Sequence, residues 1–320
     1  MKKILIFGCG NIGFRYLEAV LNISINCEIF VIEKSKKILD ERKKMISSYN
    51  FKYPNKKVIW YNALPNKIKS IDLVVIATSA KNRFLYIKKI SNKFLVNSWI
   101  IEKILAQSLN QIKIIEAIKF DTNLVFVSHV RRESTFHKKI KSELLKIKKI
   151  NAKLVGNNWG LASNAIHLLD LISWYTGEKL SSLDNTNLDK KWHKSKRNGY
   201  YEISGKLLAK FSRGSKLLLE CNDKSKNIFL EIVSEKSNKK FRIYESKHYY
   251  KRNFKKIDIV YDPLSKVMIN SISKILTIGD CDLPKLKDVT YLYKIYLSSL
   301  LDSWNKSNIN FKFKKILPIT

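Results

Sequence analysis

The sequence is poor in the residues from which metal centres and disulfide frameworks are built. Its 320 residues contain only four cysteines and five histidines. The cysteines, at positions 9, 27, 221 and 281, show neither a Cys-x-x-Cys pair nor another metal-ligand spacing, and the histidines are scattered. We therefore expect reduced, structural cysteines and no metal site.

Long apolar runs and targeting signals are also missing. No stretch approaches the roughly 18 uninterrupted apolar residues of a membrane-spanning helix. The N-terminal residues pass straight into a strand pattern, without the apolar core and small-residue cleavage site of a secretory signal. These features argue against an integral membrane protein, and we expect a cytoplasmic location.

Acidic residues are scarce relative to basic ones. The chain has 27 Asp and Glu against 61 Lys and Arg, a formal net charge of +34. Such an excess raises nucleic acid or an anionic membrane as a partner. The lysines, however, are spread over almost every segment, and no basic block is interleaved with stacking aromatics. We expect solvated charges whose field favours anionic ligands, and no specific nucleic-acid binding.

The glycines, few as they are, form the strongest motif at the start of the chain. An apolar run leads into Gly8-Cys9-Gly10-Asn11-Ile12-Gly13 and then into a helical pattern. This is the Gly-x-Gly-x-x-Gly arrangement that lays a pyrophosphate against a helix N-terminus. Glu33 ends the next apolar strand, where a carboxylate accepts hydrogen bonds from a ribose diol. The sequence thus predicts a dinucleotide site formed by Gly8, Gly10, Asn11, Ile12, Gly13 and Glu33.

The acid at position 33 also bears on which dinucleotide is bound. A carboxylate there repels a 2′-phosphate, so NAD is the expected cofactor. Lys34, next to it, partly offsets that repulsion. NADP therefore stays open.

The order of apolar runs predicts two domains. Strands and helices alternate over residues 1–122, as in a doubly wound parallel sheet. The buried strand pattern at 70–79 contains Ala77 and Thr78 at its end, where such sheets bind ligands, so both are expected to contact the cofactor. Over residues 123–320 several strands follow one another without helices. We predict an α/β Rossmann domain followed by an α+β domain with an open, mainly antiparallel sheet.

Four features in this order resemble the Gfo/Idh/MocA (glucose-fructose oxidoreductase / inositol dehydrogenase) family. They are the glycine motif, the strand end at Ile76-Ala77-Thr78, the pair Glu102-Lys103 and the pattern His167-x-x-Asp170. The resemblance implies an NAD(P)-dependent dehydrogenase or reductase acting on a CH–OH group of a sugar or sugar derivative. It also implies assembly into a homo-oligomer, a dimer or tetramer, through the C-terminal sheet. The residues after Lys103 are similar to a subgroup linked to surface-sugar synthesis.

The resemblance also assigns residues. Glu102 and Lys103 match a Glu-Lys-Pro motif whose lysine contacts nicotinamide ribose and substrate hydroxyl. Ile104 replaces the proline, so the cis peptide usual there is not expected, because a non-proline cis bond costs about 3 kcal/mol. His167 matches a helix histidine, and Ser163, with Asn164 beside it, stands where many members carry an aspartate.

Each predicted site residue has a structural alternative. Lys103 and His167 are the candidate catalytic bases. The structural alternative is a solvated surface lysine for Lys103 and a core histidine for His167. Asp170 either orients the imidazole or makes a structural contact. Arg131 binds an acidic substrate group through its planar fork or is a surface arginine. Trp159 stacks on a sugar or packs between sheet and helix.

The predicted reaction transfers a hydride between a nicotinamide cofactor and a secondary alcohol or ketone. The protein must then supply a base for the hydroxyl proton. The departures at Ile104 and Ser163 keep a second class open, a catalytically impaired dinucleotide-binding sensor or partner protein.

Overall fold

The computed structural model describes residues 1–49, 52–53, 56–144, 149–235, 239–259, 263–307 and 315–320. The chain divides into two compact units. Unit 1 comprises Met1–Ala106, Gln111–Glu133 and Asp262–Asp288. Unit 2 comprises Gln107–Asn110, Ser134–Tyr261 and Val289–Thr320.

Strands alternate with helices in the N-terminal part of the chain. The strands are β1 (Lys2–Phe7), β2 (Cys27–Ile32), β3 (Lys57–Tyr61), β4 (Ser70–Ile71), β5 (Leu73–Ile76), β6 (Leu95–Val96), β7 (Trp99–Ile101) and β8 (Val125–Val127). The helices are α1 (Asn11–Leu21), α2 (Lys36–Ser47), α3 (Arg83–Ser91) and α4 (Leu109–Glu116). A short β4–β6 pair stands apart from the main sheet.

The main sheet of unit 1 is parallel and doubly wound. In the described part of the chain it has six strands in the order β3-β2-β1-β5-β7-β8. Its central strands are buried, and Ile4, Leu5 and Ile6 of β1 are fully so. The strand order reverses beside β1, between β2 and β5, which is where such sheets bind ligands. The predicted Rossmann-like fold is confirmed.

Several elements beyond residue 122 belong to unit 1 by their contacts, among them a strand and a long helix. β8 pairs parallel with β7, although the sequence analysis assigned this strand to the second domain. The helix Leu264–Ile278, labelled α7 below, packs against α1. A local apolar pattern reports that a strand is buried but not which strand it pairs with. The division into 1–122 and 123–320 stays a prediction for independently folding domains.

The remaining elements are mostly strands. They are α5 (Thr135–Leu144), β9 (Ile150–Gly156), α6 (Leu161–Thr176), β10 (Leu180–Asp184), β11 (His193–Lys194), β12 (Tyr201–Glu202), β13 (Gly205–Phe211), β14 (Lys216–Cys221), β15 (Phe229–Ser234), β16 (Lys240–Tyr244), β17 (Tyr249–Arg252), β18 (Lys255–Asp258), α7 (Leu264–Ile278) and α8 (Leu286–Lys306).

The large sheet of unit 2 is open and mainly antiparallel, as predicted. Among the described residues it has eight strands in the order β10-β13-β14-β9-β15-β16-β17-β18. In the described part of this sheet, the β14–β9 pair is the parallel one. Alternate residues, such as Leu217 and Leu219 of β14, are buried, and α6 packs against this strand. Within the described ranges, no helix is both long and apolar enough to cross a membrane.

Candidate functional site

The glycine turn between β1 and α1 is tight at two glycines and open at the third. Gly8 has φ +89°, and a Cβ there would lie 3.1 Å from Thr78 Cγ2. A Cβ on Gly13 would lie 1.9 Å from the carbonyl oxygen of Gly8, so no other residue fits. At Gly10, by contrast, a Cβ would meet no described atom within 4 Å. The turn therefore leaves open space beside Gly10.

This open space faces the start of α1. Gly10 is the N-cap, and no side chain among the described residues caps the helix through it. The amides of Asn11, Ile12 and Gly13 form the first turn, whose N–H groups have no acceptor within the helix itself. Together with the helix dipole they make this helix start electropositive, and binding of a pyrophosphate there stays a prediction.

Glu33 is fixed beside the same turn. Its Oε2 accepts a hydrogen bond from the Cys9 amide at 2.8 Å, and its Oε1 accepts one from the Ser35 amide at 3.0 Å. The carboxylate is thereby held at the end of β2, where the ribose of a dinucleotide binds in this fold. Burial raises the pKa of the Cys9 thiol to about 12, so this residue is a neutral thiol at neutral pH.

A cation also lies at this turn, and the sequence analysis missed it. Arg42 of α2 donates from Nη2 to Asn11 Oδ1 at 2.9 Å and from Nε to the Cys9 carbonyl at 3.3 Å. Lys34, the basic residue flagged by the sequence, instead donates to the hydroxyl of Tyr86 at 3.1 Å. Arg42 gave no local signal, because it stands in a helix rich in charged residues.

The ends of β5 and β7 are joined by a buried arginine. Arg83, 1% exposed, donates to the carbonyl of Glu102 at 2.7 Å and also to the carbonyls of Thr78 and Ile104. Ala77, just before Thr78, donates its amide to the carbonyl of Phe7 on β1 at 2.9 Å. The structure therefore brings Ala77 and Thr78 next to the glycine turn.

Glu102 is part of a buried network. Tyr16 of α1 donates to Glu102 Oε1 at 2.6 Å, and its hydroxyl also contacts Ser128 Oγ at 2.7 Å. Burial, with the nearby charge of Glu102, raises the pKa of the Tyr16 hydroxyl well above its ordinary value. The side chain of Glu102 thus ties the end of β7 to α1, and its contact with a cofactor stays a prediction.

The peptide bond between Lys103 and Ile104 is cis, so the expectation against a cis bond was wrong. That expectation rested on the intrinsic preference of a non-proline bond. In the folded chain, the carbonyls of Glu102 and Ile104 both accept hydrogen bonds from Arg83, a contact that the sequence does not display. Lys103 itself is partly buried.

The predicted substrate residues are divided between the units. Arg131 lies in unit 1, partly buried in the helical turn Val130–Glu133 that follows β8. The others lie in unit 2, at or on α6. They lie just before this helix or within its first ten residues, and they are Trp159, Ser163, Asn164 and Asp170, with the predicted catalytic residue His167 among them.

Trp159 is anchored at the start of α6. Its indole N–H donates to the carbonyl of Glu220 on β14 at 3.0 Å. Its own carbonyl accepts from Asn164 Nδ2 at 2.8 Å. These bonds favour packing between sheet and helix over stacking on a sugar, and the sugar contact stays a prediction.

Ser163 and His167 are one turn apart on one side of α6. His167 is 8% exposed and Asp170 2% exposed. Ser163 Oγ donates to the carbonyl of Gly160 at 3.3 Å. The helix thus brings the predicted polar residues onto neighbouring positions, with Asp170 the most deeply buried.

A carboxylate that the sequence analysis missed meets this helix. Glu202 of β12 accepts a hydrogen bond from the Ala162 amide at 2.8 Å and also bonds Ser163. Burial raises its pKa. In the sequence Glu202 is one more residue of a strand pattern, far from α6, so no local signal could have found it.

Metal ligation has no support in the described residues. Among them, no group of three His, Cys, Asp or Glu side chains is arranged to hold an ion. The four cysteines are free thiols, three of them buried.

Comparison with known proteins supports the fold. No protein-family model and no curated protein sequence matches the chain. Among solved structures, the chain is similar to myo-inositol dehydrogenase from Lactobacillus casei in complex with NAD(H) and myo-inositol, with 14% identity, 97% of each chain covered and a TM-score of 0.67.

Two further structures have the same fold. Biliverdin reductase from Synechocystis sp. PCC 6803, in complex with biliverdin and NADP+, shares 12% identity over 96% of this chain and 99% of that one, with a TM-score of 0.66. UDP-N-acetylglucosamine 3-dehydrogenase from Acidithiobacillus ferrooxidans shares 10% identity over 96% and 97%, with a TM-score of 0.62. At these identities the likeness shows the fold alone. The predicted resemblance to Gfo/Idh/MocA oxidoreductases is confirmed at that level.

Proposed function

We propose that this protein is an NAD(P)-dependent oxidoreductase acting on a secondary alcohol or ketone of a sugar or sugar derivative. The observation that carries the proposal is the glycine turn. Gly13 cannot accept a Cβ, Gly10 leaves open space at the start of α1, and Glu33 is fixed beside them. This turn fits a dinucleotide, and the fold as a whole is shared with nicotinamide-dependent dehydrogenases.

The residues that would hold the cofactor lie in unit 1. The amides of the glycine turn bind the pyrophosphate, and Glu33 accepts hydrogen bonds from the adenosine ribose. We assign contacts with the nicotinamide half of the cofactor to Thr78 and Lys103. Ala77 and Glu102, next to them in the chain, are assigned to the same part of the cofactor site. When bound, the nicotinamide supplies the hydride acceptor or donor.

The chain's own part in the reaction is proton transfer. A carbinol loses its hydroxyl proton as it becomes a ketone, so a base must accept that proton. We assign this task to Lys103 and His167. An imidazole exchanges protons near neutral pH, and an amine does so when burial or a neighbouring positive charge favours its neutral form.

We further propose that NAD is preferred over NADP. The carboxylate of Glu33 stands where a 2′-phosphate would bring negative charge. Arg42 supplies a compensating positive charge at the same turn. This charge reduces the preference for NAD over NADP without reversing it.

The outer side of the large sheet supports a proposed homo-oligomer. On the side opposite the buried row, Val155, Leu218, Phe229 and Val233 are apolar and partly exposed. We propose that a dimer or tetramer forms through this face and that the protein is cytoplasmic. A native mass from light scattering equal to one chain would contradict the oligomer.

Replacing the proposed base tests the central proposal. We expect wild-type protein to turn over at least one member of a panel of free and nucleotide-activated sugars, assayed in both directions with NAD and NADH. Lys103→Ala should lower kcat by about 100-fold or more, the range of general acid–base catalysis, while NADH still binds through the glycine turn. His167→Asn, scored on the same substrate, separates the two candidate bases.

The matched control is Lys113→Ala, at an exposed lysine of α4 in the same unit. It should behave as wild type. If NADH binds but no sugar is turned over at a rate sensitive to Lys103, the protein is a dinucleotide-binding sensor or partner instead.

A further inference from the structure

A carboxylate from a distant segment lies at the start of the helix that carries His167. Glu202 belongs to β12 and is 9% exposed. One of its oxygens, Oε2, accepts a hydrogen bond from the Ala162 amide at 2.8 Å, 40 positions away in the sequence. The carboxylate is also bonded by the side chain and the amide of Ser163.

Three polar atoms converge at Gly160, the residue before this helix. A Cβ on Gly160 would lie 2.8 Å from Ser163 Oγ, 3.0 Å from Asn164 Nδ2 and 3.2 Å from Glu202 Oε1. Gly160 also has φ +73°, a left-handed conformation that favours glycine. The helix therefore begins in a polar recess, and the partial exposure of Gly160, Ser163 and Asn164 keeps this recess in contact with solvent.

The titratable groups around Glu202 come from several elements. His193 of β11 is its direct cross-strand neighbour, and its charge favours the carboxylate. Burial raises the pKa values of Cys221 of β14 and Tyr296 of α8, and the nearby charge of Glu202 adds to both shifts. Burial of Glu202 raises its own pKa, opposed by the hydrogen bonds from Ser163 and Ala162. The group consequently titrates closer to neutrality than a solvated glutamate.

We propose that Glu202 is a positioning residue for proton transfer at His167 and supplies, through Ser163, the carboxylate that α6 itself lacks at position 163. The single Ser163 Oγ–H is shared between the Gly160 carbonyl, 3.3 Å away, and the Glu202 carboxylate, and Ser163 lies one turn before His167 on the same side of α6. Negative charge there favours the protonated imidazole, so His167 accepts the proton leaving the substrate oxygen more readily. The inference rests on the proposed function of His167.

The variant that isolates this role is Glu202→Gln. Glutamine keeps an oxygen that can accept from the Ala162 amide, but it cannot carry the charge. We expect kcat to fall about tenfold with little change in KM. In the wild type, kcat should fall as pH drops through the raised pKa of Glu202, because the carboxylate is lost there. In Glu202→Gln the pH profile of kcat should lack the ionisation that we assign to Glu202.

A second measurement needs no substrate. The chain has five histidines, so the imidazole of His167 can be assigned by NMR with His167→Asn and titrated in each variant. We expect the titration midpoint of His167 to fall in Glu202→Gln, because a neighbouring negative charge is removed. If no sugar is turned over by the wild type, the proposed function fails, while this titration still decides the role of Glu202.

Conservative and control variants complete the test. Glu202→Asp, which keeps the charge, should restore part of kcat and the lost ionisation. Glu235→Gln, at an exposed carboxylate paired with Lys149, should leave both readouts unchanged. The double variant Ser163→Ala/Glu202→Gln should lower kcat no more than one of the single variants does, because Glu202 acts on His167 through Ser163. An unchanged His167 titration together with an unchanged pH profile would overturn the proposal and leave Glu202 as a helix cap only.

Discussion

Two helices that carry candidate residues, one helix in each unit, begin in different ways. Both α1 and α6 follow a glycine N-cap that has no side chain to offer. At Gly10 the space is open and, among the described residues, no side chain caps the helix through it. At Gly160 the space is filled by polar side chains, and Glu202 accepts from the first turn. The first helix start thus leaves room for an external group, whereas an acid of the chain itself accepts a hydrogen bond at the second.

The largest effect is expected from Gly13→Ala. Its Cβ would lie 1.9 Å from the Gly8 carbonyl oxygen, so the turn cannot keep its shape. We expect a loss of stability of roughly 3 kcal/mol or more and no measurable NADH binding, from thermal unfolding and fluorescence titration.

The matched variant for this position is Gly10→Ala, whose Cβ meets no described atom. Because its φ of −63° suits alanine, the fold should be retained while NADH binding weakens. Wild-type affinity in Gly13→Ala would show that the turn is not the phosphate site.

Gly160→Ala should give an intermediate effect. A left-handed backbone costs a non-glycine residue about 1–2 kcal/mol, and crowding against Ser163 and Asn164 adds about 1–3 kcal/mol more. The free energy of unfolding in urea measures the sum.

Gly177→Ala, at the other end of α6, separates the cost of the left-handed backbone from the cost of crowding. Its φ is +66°, but the nearest atom to a Cβ is Arg213 Nη2 at 3.6 Å, an ordinary contact. If both variants lose the same stability, the recess at Gly160 is not crowded and the contrast between the two helix starts disappears.

The smallest effects concern the charges at the open helix start. In the wild type we expect NADH to bind about tenfold more tightly than NADPH, and Glu33→Ala to reduce this ratio. Arg42→Ala should weaken NADPH more than NADH, by a few-fold, because a partly exposed charge is screened. Direct binding titrations at one ionic strength give the ratio of NADPH to NADH affinity for each of the three proteins. Equal wild-type affinities for the two cofactors would remove the case for NAD.

The sequence was sufficient wherever a local pattern decides the structure. The glycine turn and the acid after β2 follow from residues close to one another in the sequence, and the structure brings the two together. The alternation of apolar runs likewise predicted the parallel sheet, the open sheet and the helix carrying His167. In each of these cases backbone geometry and burial act over a few residues.

The rest depends on contacts between distant segments. Arg83 reaches the carbonyls beside Lys103, and Glu202 reaches the amide of Ala162. Both residues stand in ordinary helix or strand patterns, and nothing local marks their partners. The pairing of β8 with β7 was open for the same reason, because its apolar pattern fits either sheet. Side-chain pairing over tens of residues is therefore what the sequence left open.

The hydrogen bond between Tyr16 and Glu102 gives α1 a second task. The helix whose first turn would receive the phosphates is the same rigid rod that holds the strand end preceding Lys103. If α1 moved when a ligand bound, its first turn and the strand end before Lys103 would move together. The distance between these two places is therefore set when the chain folds and not when the ligand binds. The buried hydroxyl of Tyr16 thus helps to fix the distance between the first turn of α1, where a ligand would be anchored, and Lys103.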